Sequence, residues 1–386
     1  MTAWLAGWGY RKSHVITHAA NSGTKYQVKI LVHSGSGVSS NSDVYLGGRC
    51  SSFPNDIDFT DDSGNAQLDF WIEDPTVDPI TVWVEVAADL TADDRTIYIY
   101  YGKSGQSSLS NGDNTFLFFD HFPNSSLDAN KWLLTYRPNS VTVSDSVAHI
   151  AGTEAAWKWI SGLVAVGPYN IRVKHRSKIY DMTHYEMVGI GQAAAMGGGM
   201  AQHYGTRETS DYYYYQDTAL GYRFGHLPSL DNAWHVDMIE WTNGWCKYYI
   251  NGTLDVTEGS YFPVVSARAF IAVNATGGGT AQVDCDWIFL SKFVSPEPAN
   301  TTWGSEEGSS TLAGITRDSS GNVLGNCTVY VFKTSDQLLL GSGTSDGNGN
   351  YSITIGAGPG TIVFAVAFKS GSPDVMGVTD NNITTV

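Results

Sequence analysis

Segments with a period of two residues, joined by tight turns, recur along this 386-residue chain, and no window sustains a period near 3.6 with caps at both ends. The run WCKYYINGTLDVT shows the pattern: Asn251-Gly252 is a two-residue turn between two alternating segments. DDSG at 61–64 reads as a second hairpin turn. Composition agrees. Gly is abundant at 42 residues, aromatics make up 12%, and charged residues only 16%, with Lys and Glu scarce, which suits short strands and turns rather than surface helices. The chain is therefore expected to be all-β, and long enough for two or three domains.

The formal net charge of −16 argues against a nucleic-acid partner, because phosphate binding needs a basic footprint. The acids are spread thinly, so their main effect is solubility. No apolar run approaches the length of a membrane span, and no membrane insertion is expected. The opening MTAWLAGWGYRKSH lacks the basic-then-apolar pattern of a secretion signal. The expectation is a protein whose leader was replaced, or one that reaches the outside without secretion, as virion proteins released by lysis do. Cys50, Cys246, Cys285 and Cys327 form neither a disulfide framework nor a metal spacing. They read as small buried hydrophobes, with a Cys246–Cys285 bridge as the alternative.

Three blocks separate by texture. Residues 1–110 alternate strand and turn through KYQVKILV, ITVWVEV and RTIYIYYGK, and the polar stretch at 104–114 is a linker. With Trp8, Tyr10, Arg11 and Lys12 at its start and IYIYYGK at 97–103, this block resembles a small β-sandwich domain of unknown function found on surface and secreted proteins. Residues 115–305 open with FLFFDHF and LDANKW, continue with WHVDMIEWTNGWCKYYING, and end in DWIFLSKF. These pieces resemble the concanavalin A-like jelly roll of laminin-G-type lectins and glycoside hydrolases. Residues 308–386 carry Gly314-Ile315 and SDGNGNY at 345–351, and resemble the carboxypeptidase regulatory-like, Ig-like module. That module, ending in a motif like TDNN at 379–382, also resembles the ends of tailed-phage structural proteins.

The stretch TAQVDCDWIFLSKF (280–293) places Asp284 and Asp286 two apart, hence on one face of a strand. The hydrolase resemblance implies a Glu-x-Asp-x-x-Glu run, and none is present. Glu186 stands alone in HYEMVGIG, and the spacing of three between Asp237 and Glu240 sends them to opposite faces. What calcium-bearing jelly rolls imply instead is a structural ion held by Asp286 together with Asp120 and backbone oxygens. The alternative is that Asp286 bonds backbone amides where the terminal strands meet. The segment QHYGTRETSDYYYYQD (202–217) suggests glycan contact through His203, Tyr204, Arg207, Asp211, Tyr213 and Tyr215, extended by Tyr222, Arg223, Trp157 and Trp159. Aromatic rings stack on sugars while Arg and Asp take hydroxyls. No Ser-His-Asp order is apparent.

Together these readings predict three β-sandwich domains in series without a catalytic set. That suits a virion-surface fibre, spike or decoration protein of a tailed virus, binding host cell-surface glycan and contacting other virion proteins, with a homotrimer favoured. A secreted or cell-surface prokaryotic adhesin is the alternative. A polysaccharide-cleaving enzyme using Glu186 or Glu240 is a third class.

Overall fold

The structure is a computed structural model that describes residues 4–136, 141–180, 184–191, 200–205, 212–218, 221–227, 232–259, 266–275, 278–357, 361–371, 375–378 and 383–384. Among these the chain is all-β as expected, with strands throughout and one four-residue helix, Gly112–Thr115. Contacts divide it into two compact units. One comprises 1–19, 23–111 and 298–386; the other comprises 20–22 and 112–297.

In the first unit, Tyr10–Ile16 lies between Arg95–Tyr101 and Asn300–Trp303 in a five-stranded sheet that also takes Ile57–Thr60 and Glu307–Gly308. A four-stranded sheet runs in the order Asp43–Tyr45, Tyr26–His33, Ile80–Val86, Phe70–Ile72. Two sequence expectations change here. The DDSG turn forms, with Gly64 at φ +80°, but it joins strands of different sheets, and only a Thr60–Gln67 bridge spans it. Asn300–Trp303, placed by sequence at the end of the jelly roll, pairs with Tyr10–Ile16 instead, where Trp303 stacks on His14 at 3.8 Å. Trp8 and Arg11 of the opening motif are buried: Trp8 packs with Tyr98 and Tyr100, and the Arg11 guanidinium lies 4.4 Å from the Tyr98 ring and bonds Glu307.

Residues 310–384 of the same unit form a two-stranded sheet, Ser310–Ile315 with Asn350–Ile355, and a five-stranded sheet centred on Thr328–Lys333 and Ile362–Lys369. Leu312, Val329, Val331, Ile353, Ile355 and Val363 fill the core between them. Asp318 and Asp346 tie their turns by accepting backbone N–H groups from Asn322 and Asn350, each at 2.8 Å. The TDNN motif lies outside the described residues.

The second unit is a sandwich of two large antiparallel sheets. The seven-stranded sheet runs Gly221–Leu227, Tyr212–Thr218, Met200–Gly205, Tyr185–Gly191, Arg268–Asn274, Lys158–Gly162, Trp132–Tyr136. The eight-stranded sheet runs Val141–Ser144, Val147–Gly152, Ala281–Lys292, Ile171–Ile179, His235–Trp241, Cys246–Ile250, Thr253–Glu258, with Phe118–Asp120 also on Ala281–Lys292. Val188, Ile190, Ile271 and Val273 from the first meet Val173, Ile239, Val283 and Ile288 from the second in one apolar core. The Asn251-Gly252 turn is as read from sequence, with φ values of +49° and +80° that a two-residue hairpin of this hand demands. The cysteines are free thiols, and burial pushes those of Cys246 and Cys285 well up.

Candidate functional site

Because side chains alternate, each sheet of this sandwich has one face in the core and one facing away from it. On the seven-stranded sheet the away-facing row is apolar and aromatic. Met187, Phe270 and Ala272 are buried there by Trp157, Trp159 and Tyr185, which remain half-buried. Trp157 stacks on Tyr185 at 5.6 Å and Trp159 on Phe270 at 6.3 Å. Backbone register extends the row across all seven strands: Tyr136, Trp159, Ala272, Met187, Tyr204, Tyr213 and His226 are successive partners.

Register also sorts the predicted glycan residues. Tyr204 and Tyr213 are partners in the row of Trp159 and Met187, while Tyr215 pairs with Gln202 in the row of Phe270. His203 occupies the row of core residues Val188 and Ile271, and Arg223 that of Ile190. Tyr222 pairs with Asp217. Arg207 and Asp211 lie outside the described residues. The structure therefore joins Trp157 and Trp159 to Tyr185, Met187 and Phe270, which the sequence reading did not single out.

The eight-stranded sheet carries the acids. Arg176 pairs with Trp287 but Ser177 with Cys285, so Asp286 is the extra residue of a β-bulge. The bulge inverts the alternation: Val283 and Cys285 enter the core before it, Ile288 and Leu290 after it. Asp284 and Asp286 still share the outward face, as expected from sequence. Asp120, however, is the partner of the core residue Ile288, and its carboxylate points inward, accepting the Trp132 indole N–H at 2.6 Å and the Phe122 amide at 2.8 Å. Asp286 pairs outside with Arg176, whose guanidinium sits 4.9 Å from the Trp234 ring. The two residues expected to share a calcium ion are thus on opposite faces. Among the described residues no group of three or more His, Cys, Asp or Glu side chains is placed to hold a metal.

The acids considered for catalysis are also separated. Glu186 is fully buried on the core side of the seven-stranded sheet, accepting backbone N–H groups of Gln282 at 2.7 Å and Tyr180 at 2.9 Å. Glu240 is on the outward face of the other sheet, bonded to Arg172 and to the Tyr249 hydroxyl, each at 2.8 Å. Burial and the Glu240 carboxylate push the Tyr249 hydroxyl up, so it keeps its proton as a donor. Arg172 also reaches Glu297, and its guanidinium lies 4.8 Å from the Phe293 ring.

Residues 54–135 match the family model of a domain of unknown function, DUF2341. The match is less than half of the chain, and the Trp8 and Tyr10–Lys12 motif falls outside it. No curated protein matches the chain. Among solved structures, the chain is similar to one from work on endo-acting O-glycanases that members of the human gut microbiota express to initiate mucin breakdown. That pair is 14% identical over 46% of this chain and 100% of the other, with a TM-score of 0.39. A β-1,3-glucanase from Mycobacterium marinum is 17% identical over 45% and 98%, with a TM-score of 0.37. An immunostimulatory antigen and pseudo β-1,3-glucanase of Mycobacterium tuberculosis is 11% identical over 46% and 99%, with a TM-score of 0.39. At such distances the likeness assigns no activity to this chain.

Proposed function

We propose that this chain is a glycan-binding protein that leaves glycosidic bonds intact and holds saccharide on the away-facing side of its seven-stranded sheet. The observation that carries the reading is the aromatic cluster of Trp157, Trp159 and Tyr185 over Met187, Phe270 and Ala272, outside the core. Aromatic rings held half-exposed on a rigid sheet match the apolar faces of pyranose rings, at little entropic cost for ordering them. Backbone register places Tyr204 and Tyr213 in the same row. The separated, hydrogen-bonded Glu186 and Glu240 favour binding over cleavage, since glycoside hydrolysis needs two carboxylates across one bond. The proposed setting is the surface of a tailed virus, supported by the resemblance of residues 308–386 to modules of such virions. Several copies on one particle would multiply weak contacts.

The test is affinity electrophoresis of the intact chain against a panel of polysaccharides. Retardation by at least one, reduced about tenfold by Trp157→Ala in line with the worth of an aromatic contact, is the expected result. Retardation unchanged in that variant would sink the assignment of the face. Imaging of purified virions and cell envelopes tests the setting: symmetric copies on a capsid or tail support it, and a location restricted to cell envelopes overturns it.

A further inference from the structure

The outward face of the eight-stranded sheet holds an arrangement that chain order conceals. Val141–Ser144 and Val147–Gly152 form a hairpin whose two-residue turn, Asp145-Ser146, has φ values of +51° and +59°. That turn fixes Ser144 opposite Val147, and so diagonal to His149 on the same face. His149 in turn is the direct partner of Asp284. The side chains connect: Ser144 Oγ is 3.1 Å from His149 Nε2, and His149 Nδ1 is 2.8 Å from Asp284 Oδ1.

Exposure grades along this line. Ser144 is exposed, the His149 side chain is 29% exposed, and that of Asp284 5%. Asp284 is held from behind by the Tyr180 hydroxyl at 2.6 Å and the Gln282 amide at 3.0 Å. Burial and the adjacent carboxylate push Tyr180 up to about 12, so it stays a donor. An ionised carboxylate only accepts, so Asp284 fixes the proton of His149 on Nδ1 and leaves the Nε2 lone pair for the Ser144 hydroxyl. A nucleophile, a base and a group that orients the base thus stand in series.

We propose that Ser144, His149 and Asp284 form an acyl-transfer site for small esters. The hairpin tip is open, which suits short acyl groups projecting from a larger molecule, such as O-acetyl groups on a polysaccharide. Ser144 Oγ attacks the ester carbonyl while its proton passes to His149 Nε2. The tetrahedral intermediate collapses, the C–O bond to the alcohol breaks, and that alcohol leaves with the proton from Nε2. Water, deprotonated by the same nitrogen, then attacks the acyl-serine, releasing the carboxylic acid and restoring Ser144. Asp284 acts as a positioning residue.

The experiment treats the intact chain with a fluorophosphonate probe, maps the adduct by peptide mass spectrometry, and follows p-nitrophenyl acetate hydrolysis. An adduct on Ser144 is expected, with labelling and hydrolysis abolished by Ser144→Ala. His149→Ala should slow labelling about 10²-fold or more, the usual contribution of a general base. Asp284→Asn should slow it while leaving polysaccharide retardation intact. Absence of an adduct, an adduct on another residue, or labelling indifferent to His149→Ala would each overturn the proposal and leave the three residues as a clasp on the hairpin. Ser144→Ala changes an exposed side chain, so its folded state is checked by near-ultraviolet circular dichroism and the outcome remains decisive.

Discussion

The two away-facing sides of the same sandwich follow one alternation rule and differ in everything else. On the seven-stranded sheet, Trp157, Trp159 and Tyr185 rest on Met187, Phe270 and Ala272, and ring stacking is the main interaction. On the eight-stranded sheet, Arg172, Arg176, Glu240, Asp284 and Asp286 are tied into ion pairs and hydrogen bonds. On the aromatic face the rings of Trp157, Trp159 and Tyr185 remain partly exposed. Most charges of the other face are already engaged with each other, so they hold the sheet rather than await a partner. The exception is the chain through His149, where one nitrogen is fixed by Asp284 and the other addresses an exposed serine.

The contrast breaks most severely at Arg172. Its side chain and that of Glu240 are 5% and 7% exposed, so Arg172→Ala strands a buried carboxylate. A loss of about 3–5 kcal/mol in urea unfolding is expected, largely recovered when Glu240 is also replaced by an apolar residue. Trp157→Ala on the other face should cost less stability than Arg172→Ala and weaken saccharide binding about tenfold. Equal stability losses in the two variants would erase the distinction between a structural and a binding face.

Between the faces, the interior adds a pH dependence. His175 is fully buried, and burial pushes it down to about 3, well below the 6.5 of a free imidazole. The neutral form is therefore the folded form. Its contribution is fully present above about pH 6.5 and is lost as pH falls from there toward 3, by up to about 1.4 kcal/mol per pH unit. Comparing urea midpoints at pH 7 and pH 4.5, the native chain should lose more than His175→Gln. Equal losses would place the acid sensitivity elsewhere.

Glu186 sharpens the comparison from inside the aromatic sheet. Its two carboxylate oxygens accept the amides of Gln282 and Tyr180, joining strand ends of the two sheets. In Glu186→Gln one of those amides faces an NH2 group, and about 1–3 kcal/mol of stability should go. Polysaccharide retardation should persist, because the side chain points away from the aromatic row. Loss of a hydrolytic activity with unchanged stability would mean instead that this acid touches substrate.

Much of this was legible in the chain. The alternating segments marked the strands, and Asn251-Gly252 dictates its own turn. What could not be read depends on register between distant strands. An inserted residue such as Asp286 leaves no trace in a local pattern, yet it turns Asp120 and Asp286 to opposite faces. His149 and Asp284 are 135 positions apart and meet only because the hairpin and the last strand of the unit are neighbours. The segment NTTW at 300–303 is too short to announce which sheet it joins. The DDSG turn specifies a reversal, but not whether the next strand returns to the same sheet.

The smallest effect is the most discriminating for the charged face. Arg176 and Asp286 form an ion pair at the bulge, with side chains 41% and 24% exposed. Water screens such a pair, and ordering two side chains offsets its attraction, so Arg176→Ala should cost no more than about 1 kcal/mol. Part of that loss would come from the Trp234 ring, which the guanidinium covers. Arg176→Lys, a cation without the planar fork, should recover the charge term but not the stacking. If either variant instead costs as much as Arg172→Ala, the bulge itself depends on this pair, and the inversion that separates Asp120 from Asp286 is imposed by side chains rather than by backbone register.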